Sequence, residues 1–377
     1  MPKKNRAVRK QIGRRLEIER WDRRLNEKLG RKRRNRARSS HTGNRSFRGV
    51  TAPSAPIIDI VVPVVLDLAT AHEETCKFVS VIKSGVRSGK RVNLVFSDVE
   101  KINTSALMYV LSNIHKLRFE HGERCITGTY PKSLQIERLL GESGFFKLLK
   151  VKLRDRVKVP RRSMRFIQFR SSQELKAETI KEVRDELLRD DLEMPRAVAK
   201  KIYRAVSEAM TNVGQHAYNN KSFISDRAED SLRGRWWFSA SMNATTNRFS
   251  LVFYDAGVGI PKTIPREHPM ENIRGVLSLL PGIEVDDAQM IVAAMKLGRT
   301  RTHLSNRGKG LLDLTQLIDL VGDGQMLIYS RQGLVTYTAG KTTPIYCKQS
   351  VEGTLIEWKL PLNKALVALP MDDDDED

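Results

Sequence analysis

The sequence predicts an α/β protein with two domains between two charged tails. Three observations support this fold class. Strand-like and helix-like segments alternate from residue 57 onward, a chain of 377 residues is long enough for about two domains, and charge is concentrated at both ends. A hydrophobic content of 40% beside 29% charged residues is ordinary for a soluble globular protein. We expect a basic arm at 1–50, domains at 51–155 and 163–364, and an acidic tail at 365–377.

The N-terminal 50 residues are strongly basic, with 19 Lys and Arg against four acidic residues. Their central run, RKRRNRAR at 31–38, has too few apolar residues to offset the entropy of ordering. We predict a disordered arm, in which a weak apolar stripe between Ile12 and Leu29 favours one short helix. Such an arm would bind nucleic acid through phosphates, with a strong dependence on salt. An anionic membrane, a protein surface or no specific partner are the alternatives.

The tail and the cysteines limit the cellular setting. Six acidic residues at 372–377 form a like-charge block that should stay solvated and disordered. Cys76, Cys125 and Cys347 are widely separated and lie among apolar neighbours, which indicates buried free thiols. The sequence offers neither an apolar run long enough to span a membrane nor a secretory signal. We therefore expect a cytoplasmic protein without a transmembrane segment.

The first domain alternates strands and helices in the order βαβαβα. This alternation favours a mostly parallel sheet with helices packed on it. The predicted elements are strand 57–63, helix 71–88, strand 91–99, helix 104–120, strand 124–130 and helix 132–149.

The second domain combines strands and helices in an order that suggests an α/β sandwich with antiparallel strands. Residues 255–307 are interpreted as a long stretch containing Gly and Pro. Strands are predicted at 165–170, 235–242, 248–254, 325–329, 334–338 and 354–360, and helices from about 172, at 196–217 and at 310–321.

A polar line runs along the helix predicted at 196–217. Apolar residues of this helix recur at every third or fourth position and define a buried stripe. Glu208, Asn212 and His216 are spaced by four residues along the same helix. Such a line is usually a solvated face, but two ligand-binding signals follow it in the chain.

The first signal is Asp255-Ala-Gly-Val-Gly-Ile-Pro261, at the end of a predicted strand. Its two glycines let a ligand approach the backbone closely. The second signal is Arg307-Gly-Lys-Gly-Leu311, a Gly-rich turn into a predicted helix N-terminus, where anions bind readily. In this order and spacing, the polar line and the two signals predict a nucleotide site.

These motifs resemble those of the GHKL superfamily of ATP-binding proteins (the Bergerat fold). That superfamily includes histidine-kinase catalytic domains, type II topoisomerase and mismatch-repair ATPases, and anti-sigma-factor serine kinases. The stretch from Ala205 to Tyr218 is most similar to the N-box of the anti-sigma kinases, and Asp255 to Pro261 is similar to the first glycine box. The resemblance implies ATP and Mg²⁺ as cofactors, held by residues of the four boxes: Asn212, His216, Asp255, Gly257, Gly259, Ile260, Arg307, Gly308, Lys309, Gly310, Leu311 and Thr354.

The same resemblance implies individual roles. Asn212 would hold Mg²⁺ against the phosphates, and Asp255 would accept a hydrogen bond from the adenine amine. The glycines of the first box would make room for the base, and those of the second box would contact the phosphates. Thr354, after Gly353, would support Asp255. In the second box Asn306 replaces the first glycine of the family pattern, a departure that bears on the geometry of a lid.

Glu208 is the candidate catalytic residue, because it lies one helical turn before Asn212. Phosphoryl transfer needs an in-line nucleophile, a divalent metal ion and a carboxylate that orients or deprotonates the attacker. The alternative is that Glu208 only orders a water at the phosphates of a slow nucleotide switch. A competing phosphate motif, Gly340-Lys341-Thr342, fails because Val335 stands where a P-loop requires its first glycine.

The first domain resembles a STAS domain, the fold of anti-sigma-factor antagonists. The resemblance rests on Val92–Val99, followed by Ile102–Leu107 at the start of a helix. It places Ser105 at the phosphoacceptor position of regulatory members, although hydroxyls at a helix start are more often N-caps. The alternative is a generic α/β interaction domain. The full prediction is an α/β chain with a disordered basic arm, a STAS-like βα domain and a GHKL α/β-sandwich ATP-binding domain.

Together the resemblances imply an ATP-binding regulatory protein. Its C-terminal domain would hydrolyse ATP or phosphorylate Ser or Thr in a protein, with tethering of the two domains allowing an intramolecular switch. Two alternatives involve no essential turnover: an interaction protein gated by nucleotide, and an accessory nucleic-acid-binding protein whose ATP site sets its oligomeric state. We expect a protein partner, and a homodimer is compatible with the sequence. A sensor histidine kinase is disfavoured, because no helical hairpin offers a phosphoacceptor His before the predicted catalytic domain.

Overall fold

The computed structural model describes residues 55–152, 154, 164–172, 235–243, 247–279, 284–300, 315, 318–319 and 322–361. All described residues belong to one unit, which begins at residue 49. The predicted arm, the acidic tail, the domain boundary at 155–163 and the helices from 172 and at 196–217 lie outside the described residues.

The described part is a mixed α/β structure, as predicted. Its elements in chain order are β1 (Ile57–Val61), β2 (Val65–Leu66), α1 (His72–Arg87), β3 (Arg91–Val95), β4 (Lys101–Ile102), α2 (Thr104–His121), β5 (Ile126–Gly128), α3 (Leu134–Glu142), α4 (Phe145–Leu149), β6 (Met164–Ser172), β7 (Trp236–Asn243), β8 (Arg248–Asp255), α5 (Ile260–Glu267), α6 (Met270–Leu277), α7 (Asp287–Thr300), β9 (Gln325–Thr338) and β10 (Lys341–Pro361).

The first sheet is parallel, as the βα alternation predicts. Its strand order is β1-β3-β5, with Ile58 opposite Val92 and Val92 opposite Ile126. A separate short parallel pair joins β2 to β4. In β3, Val92 and Leu94 are buried and alternate with partly exposed residues, so one face of the strand is directed into the core.

The second sheet has five antiparallel strands in the order β6-β7-β8-β10-β9. Its residues alternate between two buried faces. Trp237, Val252 and Tyr254 belong to the same hydrophobic cluster as the core of the first sheet, whereas their chain neighbours Trp236 and Phe253 are on the opposite face and are also buried.

Helices α1 and α2 lie between the two sheets and join them into one core. Residues Thr104–Ile114 of α2 are buried without interruption, as expected for a helix covered on all sides. Tyr109 of α2 packs edge-to-face on Tyr254, with ring centroids 5.9 Å apart. One turn and a half further on, His115 Nδ1 accepts a hydrogen bond of 3.1 Å from Trp237 Nε1. Burial, with help from Arg235 and Arg118, lowers the pKa of His115 to about 4, so this acceptor is neutral.

Several predicted elements differ from the observed ones. The helix predicted at 132–149 is two helices, because Gly144 adopts φ 91° between them. The strands predicted at 325–329 and 334–338 form the single strand β9, and the strand predicted at 354–360 is the last part of β10. Strand β9 is continuous through Gly333. A Cβ at this position would lie 2.7 Å from the carbonyl oxygen of Asp287, so glycine is required by the close approach of α7.

Three helices occupy the stretch that the sequence analysis left without regular structure. Pro261 lies in the first turn of α5, where no backbone donor is needed, and Pro265 lies inside the same short helix. Before α7, the Asp286 carboxylate accepts from Gln289 N, and the Asp286 amide donates to Gln289 Oε1. This reciprocal cap is a sequence signal of a helix start that could have been used.

The three cysteines are free and buried, which confirms the prediction for them. Burial raises the pKa of Cys76 to about 12 and that of Cys125 to about 11, so both are protonated thiols at neutral pH. No helix within the described ranges is both long and apolar enough to cross a membrane.

Candidate functional site

The described part of the chain contains one group of the predicted site residues. Asp255, Gly257, Gly259, Ile260 and Thr354 come together where β8 ends and α5 begins. The other predicted residues lie outside the described ranges: Glu208, Asn212, His216, Arg307, Gly308, Lys309, Gly310 and Leu311.

A row of four side chains crosses neighbouring strands at this point. Asp255 of β8 is opposite Trp236 of β7 on one side and opposite Thr354 of β10 on the other. Thr354 is in turn opposite Ser330 of β9. Side chains of directly opposed residues share one face of a sheet, so this row lies on the face opposite to α1 and α2. All four residues are buried.

The Asp255 carboxylate is buried with few partners. Its Oδ1 accepts a hydrogen bond of 2.7 Å from Gly257 N, and the Thr354 hydroxyl is its side-chain partner. Burial raises the pKa of Asp255 to about 7, although both hydrogen bonds act in the opposite direction. A carboxyl group of this kind is a strong acceptor that lacks solvation, and such groups cluster at functional sites.

Ser330 is a site residue that the sequence analysis missed. Its hydroxyl accepts from Ile260 N at 3.0 Å and donates to Gly353 O at 2.8 Å. The Thr354 hydroxyl is 3.3 Å from Ser330 Oγ. Because each hydroxyl has one hydrogen, Ser330 donates to the nearer Gly353 carbonyl and Thr354 donates to Asp255, so neither hydrogen is left for the Ser330–Thr354 contact. Ser330 therefore connects the start of α5 to Gly353 of β10.

Trp236 is a second residue that was missed. Its indole ring stacks on Phe253, with centroids 5.9 Å apart and an interplanar angle of 23°. The indole Nε1–H is buried and finds no hydrogen-bond partner within the described part of the chain. A buried donor without a partner is rare in proteins and calls for an explanation. Nothing in the local sequence distinguishes Trp236 from Trp237, whose indole faces the opposite side and is paired.

Two glycines allow the backbone to close around the row. Gly259 adopts φ 87°, and a Cβ there would lie 2.9 Å from Ser330 Oγ. Gly353 adopts φ 82°, and a Cβ there would overlap the carbonyl oxygen of Asp255. Both positions therefore require glycine for conformation and for space. Gly257 contributes differently, through the amide that it donates to Asp255.

The predicted phosphoacceptor is not accessible. Ser105 is fully buried, and its hydroxyl donates to Asn103 Oδ1 at 3.2 Å. Thr104 is also buried, with its hydroxyl 2.6 Å from Ser241 Oγ of β7. The N-cap of α2 is Asn103, whose side chain accepts from Ala106 N at 2.7 Å. A phosphoryl donor could reach either hydroxyl only after the start of α2 opened.

The rejected P-loop motif lies at a hairpin. Gly340 is in the turn between β9 and β10, and Lys341 and Thr342 begin β10. A P-loop instead precedes a helix, so the position agrees with the rejection. Among the described residues, no group of three or more His, Cys, Asp or Glu is placed to hold a metal ion, and the proposed metal ligand Asn212 is outside them. No protein-family model matches the chain, and no match is found among curated proteins.

Replacing Asp255 with Asn should change how stability depends on pH. The pKa of Asp255 rises from an unperturbed 3.8 to about 7 on folding. Between these values the folded protein retains a proton that the unfolded chain has lost, so the raised pKa makes stability fall as pH rises toward 7. Asparagine does not titrate. The change in the free energy of unfolding on Asp255→Asn, relative to the parent, should therefore be about 2 to 4 kcal/mol more stabilising at pH 8 than at pH 4.

Chemical denaturation of the ligand-free chain at the two pH values measures this difference. Asp323→Asn is the matched control, because it removes an exposed carboxylate and should have the same small effect at both. An equal effect of Asp255→Asn at pH 4 and pH 8 would show that Asp255 is ionised normally.

Proposed function

We propose that this protein is an ATP-binding regulatory protein of the GHKL type, preceded in the chain by a STAS-like segment. ATP would be hydrolysed, or its γ-phosphate transferred to Ser or Thr of a protein, in the C-terminal domain. The observation that carries the proposal is the buried Asp255 carboxylate at the end of β8, supported by Thr354 and followed by Gly257 and Gly259.

The chemistry of the row favours adenine as the bound base. Adenine presents an exocyclic amine, which is a donor, where guanine presents a carbonyl oxygen. The ionised Asp255 carboxylate can only accept hydrogen bonds, so it suits the amine and repels the carbonyl. On the neighbouring strand, the Trp236 Nε1–H, which has no partner among the described residues, offers a donor for a ring nitrogen of the same base. These two groups fit an adenine nucleotide better than a guanine nucleotide.

The roles of the phosphate-side residues rest on the sequence motifs. Asn212 would hold Mg²⁺, which spreads the charge that develops on the phosphates during transfer. Gly308 and Gly310 would contact the phosphates, with Arg307 or Lys309 nearby. The burial of Ser105 favours a phosphate acceptor in a partner protein over one within the folded chain. The basic charge of residues 1–50 supports a second role in nucleic-acid binding, independent of the ATP site.

Nucleotide binding tests the assignment of Asp255. At pH 8 and in Mg²⁺, the full chain should bind ATP more tightly than GTP in isothermal titration calorimetry. Asp255→Asn should weaken ATP binding by roughly 10- to 100-fold and narrow the ratio between the two nucleotides, because an amide can donate to the guanine carbonyl as well as accept. Asp323→Asn should bind like the parent. Equal affinities of the parent for ATP and GTP would reject adenine recognition.

Measuring ATP turnover tests whether Glu208 is a catalytic residue or the protein is a nucleotide-gated interaction protein. Glu208→Gln keeps the shape of the side chain but cannot act as a base, so phosphate release or protein phosphorylation should fall by roughly 10² to 10⁴. The affinity for ATP should stay within a few fold. Phosphate release and radiolabel transfer are measured together on parent and variant. A parent that binds ATP but shows no turnover would support the nucleotide-gated alternative instead.

A further inference from the structure

A bulge in β10 forms part of the candidate site. In the pairing of β10 with β9, Val351 is opposite Arg331 and Thr354 is opposite Ser330. Glu352 and Gly353 therefore have no counterparts on β9. Extra residues of this kind re-aim side chains and are frequent beside functional sites. Here the bulge brings the Gly353 backbone against the end of β8 and places Thr354 beside Asp255.

The two bulge residues are held from different sides. The Gly353 carbonyl accepts from Ser330 Oγ at 2.8 Å, on the face of the site. The Glu352 carbonyl accepts from Tyr254 OH at 2.7 Å, and Tyr254 belongs to the opposite face. The Glu352 carboxylate pairs with Lys83 Nζ of α1 at 2.9 Å, and Lys116 Nζ of α2 is 4.0 Å away. Helices α1 and α2 thus contact Glu352, which directly precedes Gly353 of the candidate site.

Lys83 is a largely buried partner of Glu352, unlike a lysine on the protein surface. Only 10% of its side chain is exposed, compared with 51% for Glu352. Burial lowers the pKa of Lys83, and the charge of Glu352 opposes that change. Burial alone would raise the pKa of Glu352, but the charge and hydrogen bond of Lys83 hold it below its usual range. The 2.9 Å contact between Lys83 Nζ and the Glu352 carboxylate therefore joins the bulge to α1.

We propose that Lys83 is a positioning residue for the nucleotide site, which fixes the bulge through Glu352 so that Gly353 and Thr354 stay in place around Asp255. This inference rests on the proposed function. It makes nucleotide affinity depend on α1, an element of the STAS-like segment that packs on the opposite face of the sheet from the Asp255 row. Any partner that shifted α1 would change the nucleotide site through this pair.

The Lys83–Glu352 pair should affect the position of the bulge more than the stability of the fold. Removing one member of a fully buried pair leaves an uncompensated charge in the core, which is strongly destabilising. Glu352 is half-exposed, so water can solvate its carboxylate after Lys83 is replaced. Methionine at position 83 keeps the long apolar stem of lysine and adds no polar group to the core. Lys83→Met should therefore remain folded while the Glu352 side chain loses its contact with α1.

The test compares ATP binding by the full chain and its variants at pH 8 in Mg²⁺. Lys83→Met should bind ATP about tenfold more weakly than the parent, and Lys83→Arg should keep most of the affinity. Lys77→Met is the control, because Lys77 is on the same helix but exposed. Glu352→Gln, with a side chain of equal size, should weaken ATP binding by a similar factor. The double variant Lys83→Met/Glu352→Gln should bind ATP no more weakly than either single variant, because each single substitution already removes the same ion pair.

The outcomes separate this inference from the proposed function. A parent that does not bind ATP would reject both. A parent that binds ATP, beside a Lys83→Met variant with unchanged affinity, would reject the positioning role alone. Fully additive losses in the double variant would also reject it, because they would mean that Lys83 and Glu352 act separately.

Discussion

The burial of one carboxylate, that of Asp255, constrains everything around it. Taking this group out of water raises its pKa to about 7, so the fold has to supply hydrogen bonds that partly replace the lost solvation. Gly257 and Thr354 provide them. Thr354 reaches Asp255 only because the Gly353 backbone packs against the carbonyl oxygen of Asp255, an approach that no other residue type allows. Such an arrangement lowers the stability of the ligand-free protein and is typical of a site that is completed by a ligand.

The alternation of side chains along β8 connects this site to the rest of the molecule. Phe253 and Asp255 are on the face of the site, while Val252 and Tyr254 belong to the core shared with α1 and α2. Tyr254 contributes twice: its ring packs on Tyr109, and its hydroxyl donates to the carbonyl of Glu352. The five-stranded sheet thus has the candidate site on one face and the core shared with α1 and α2 on the other, so a change in these helices can reach the candidate site through a single strand.

Sequence patterns predicted those parts of the fold that are determined by residues close together in the chain. The alternation in β3 and the start of α2 at Thr104 are determined by neighbouring residues, whereas the N-cap is Asn103 and not one of the hydroxyls that follow it; Asp255 was predicted as a site residue from the glycines after it. Ser330 and Trp236 could not be found in this way, because strand register alone brings them beside Asp255. The ion pair of Lys83 with Glu352 depends on tertiary packing. Helices α5 to α7 lie in a stretch that the sequence analysis described only as containing Gly and Pro, although Pro261 in the first turn of α5 is compatible with a helix.

We propose that the Asp255 carboxylate recognises the exocyclic amine of adenine, and a change in the ligand tests this while the protein stays intact. The full chain is titrated by calorimetry at pH 8, above the raised pKa of Asp255, with ATP and with purine riboside triphosphate, which lacks only that amine. A lost hydrogen bond to a buried charged acceptor predicts binding at least about tenfold weaker for the analogue. Equal affinities for the two ligands would contradict the account.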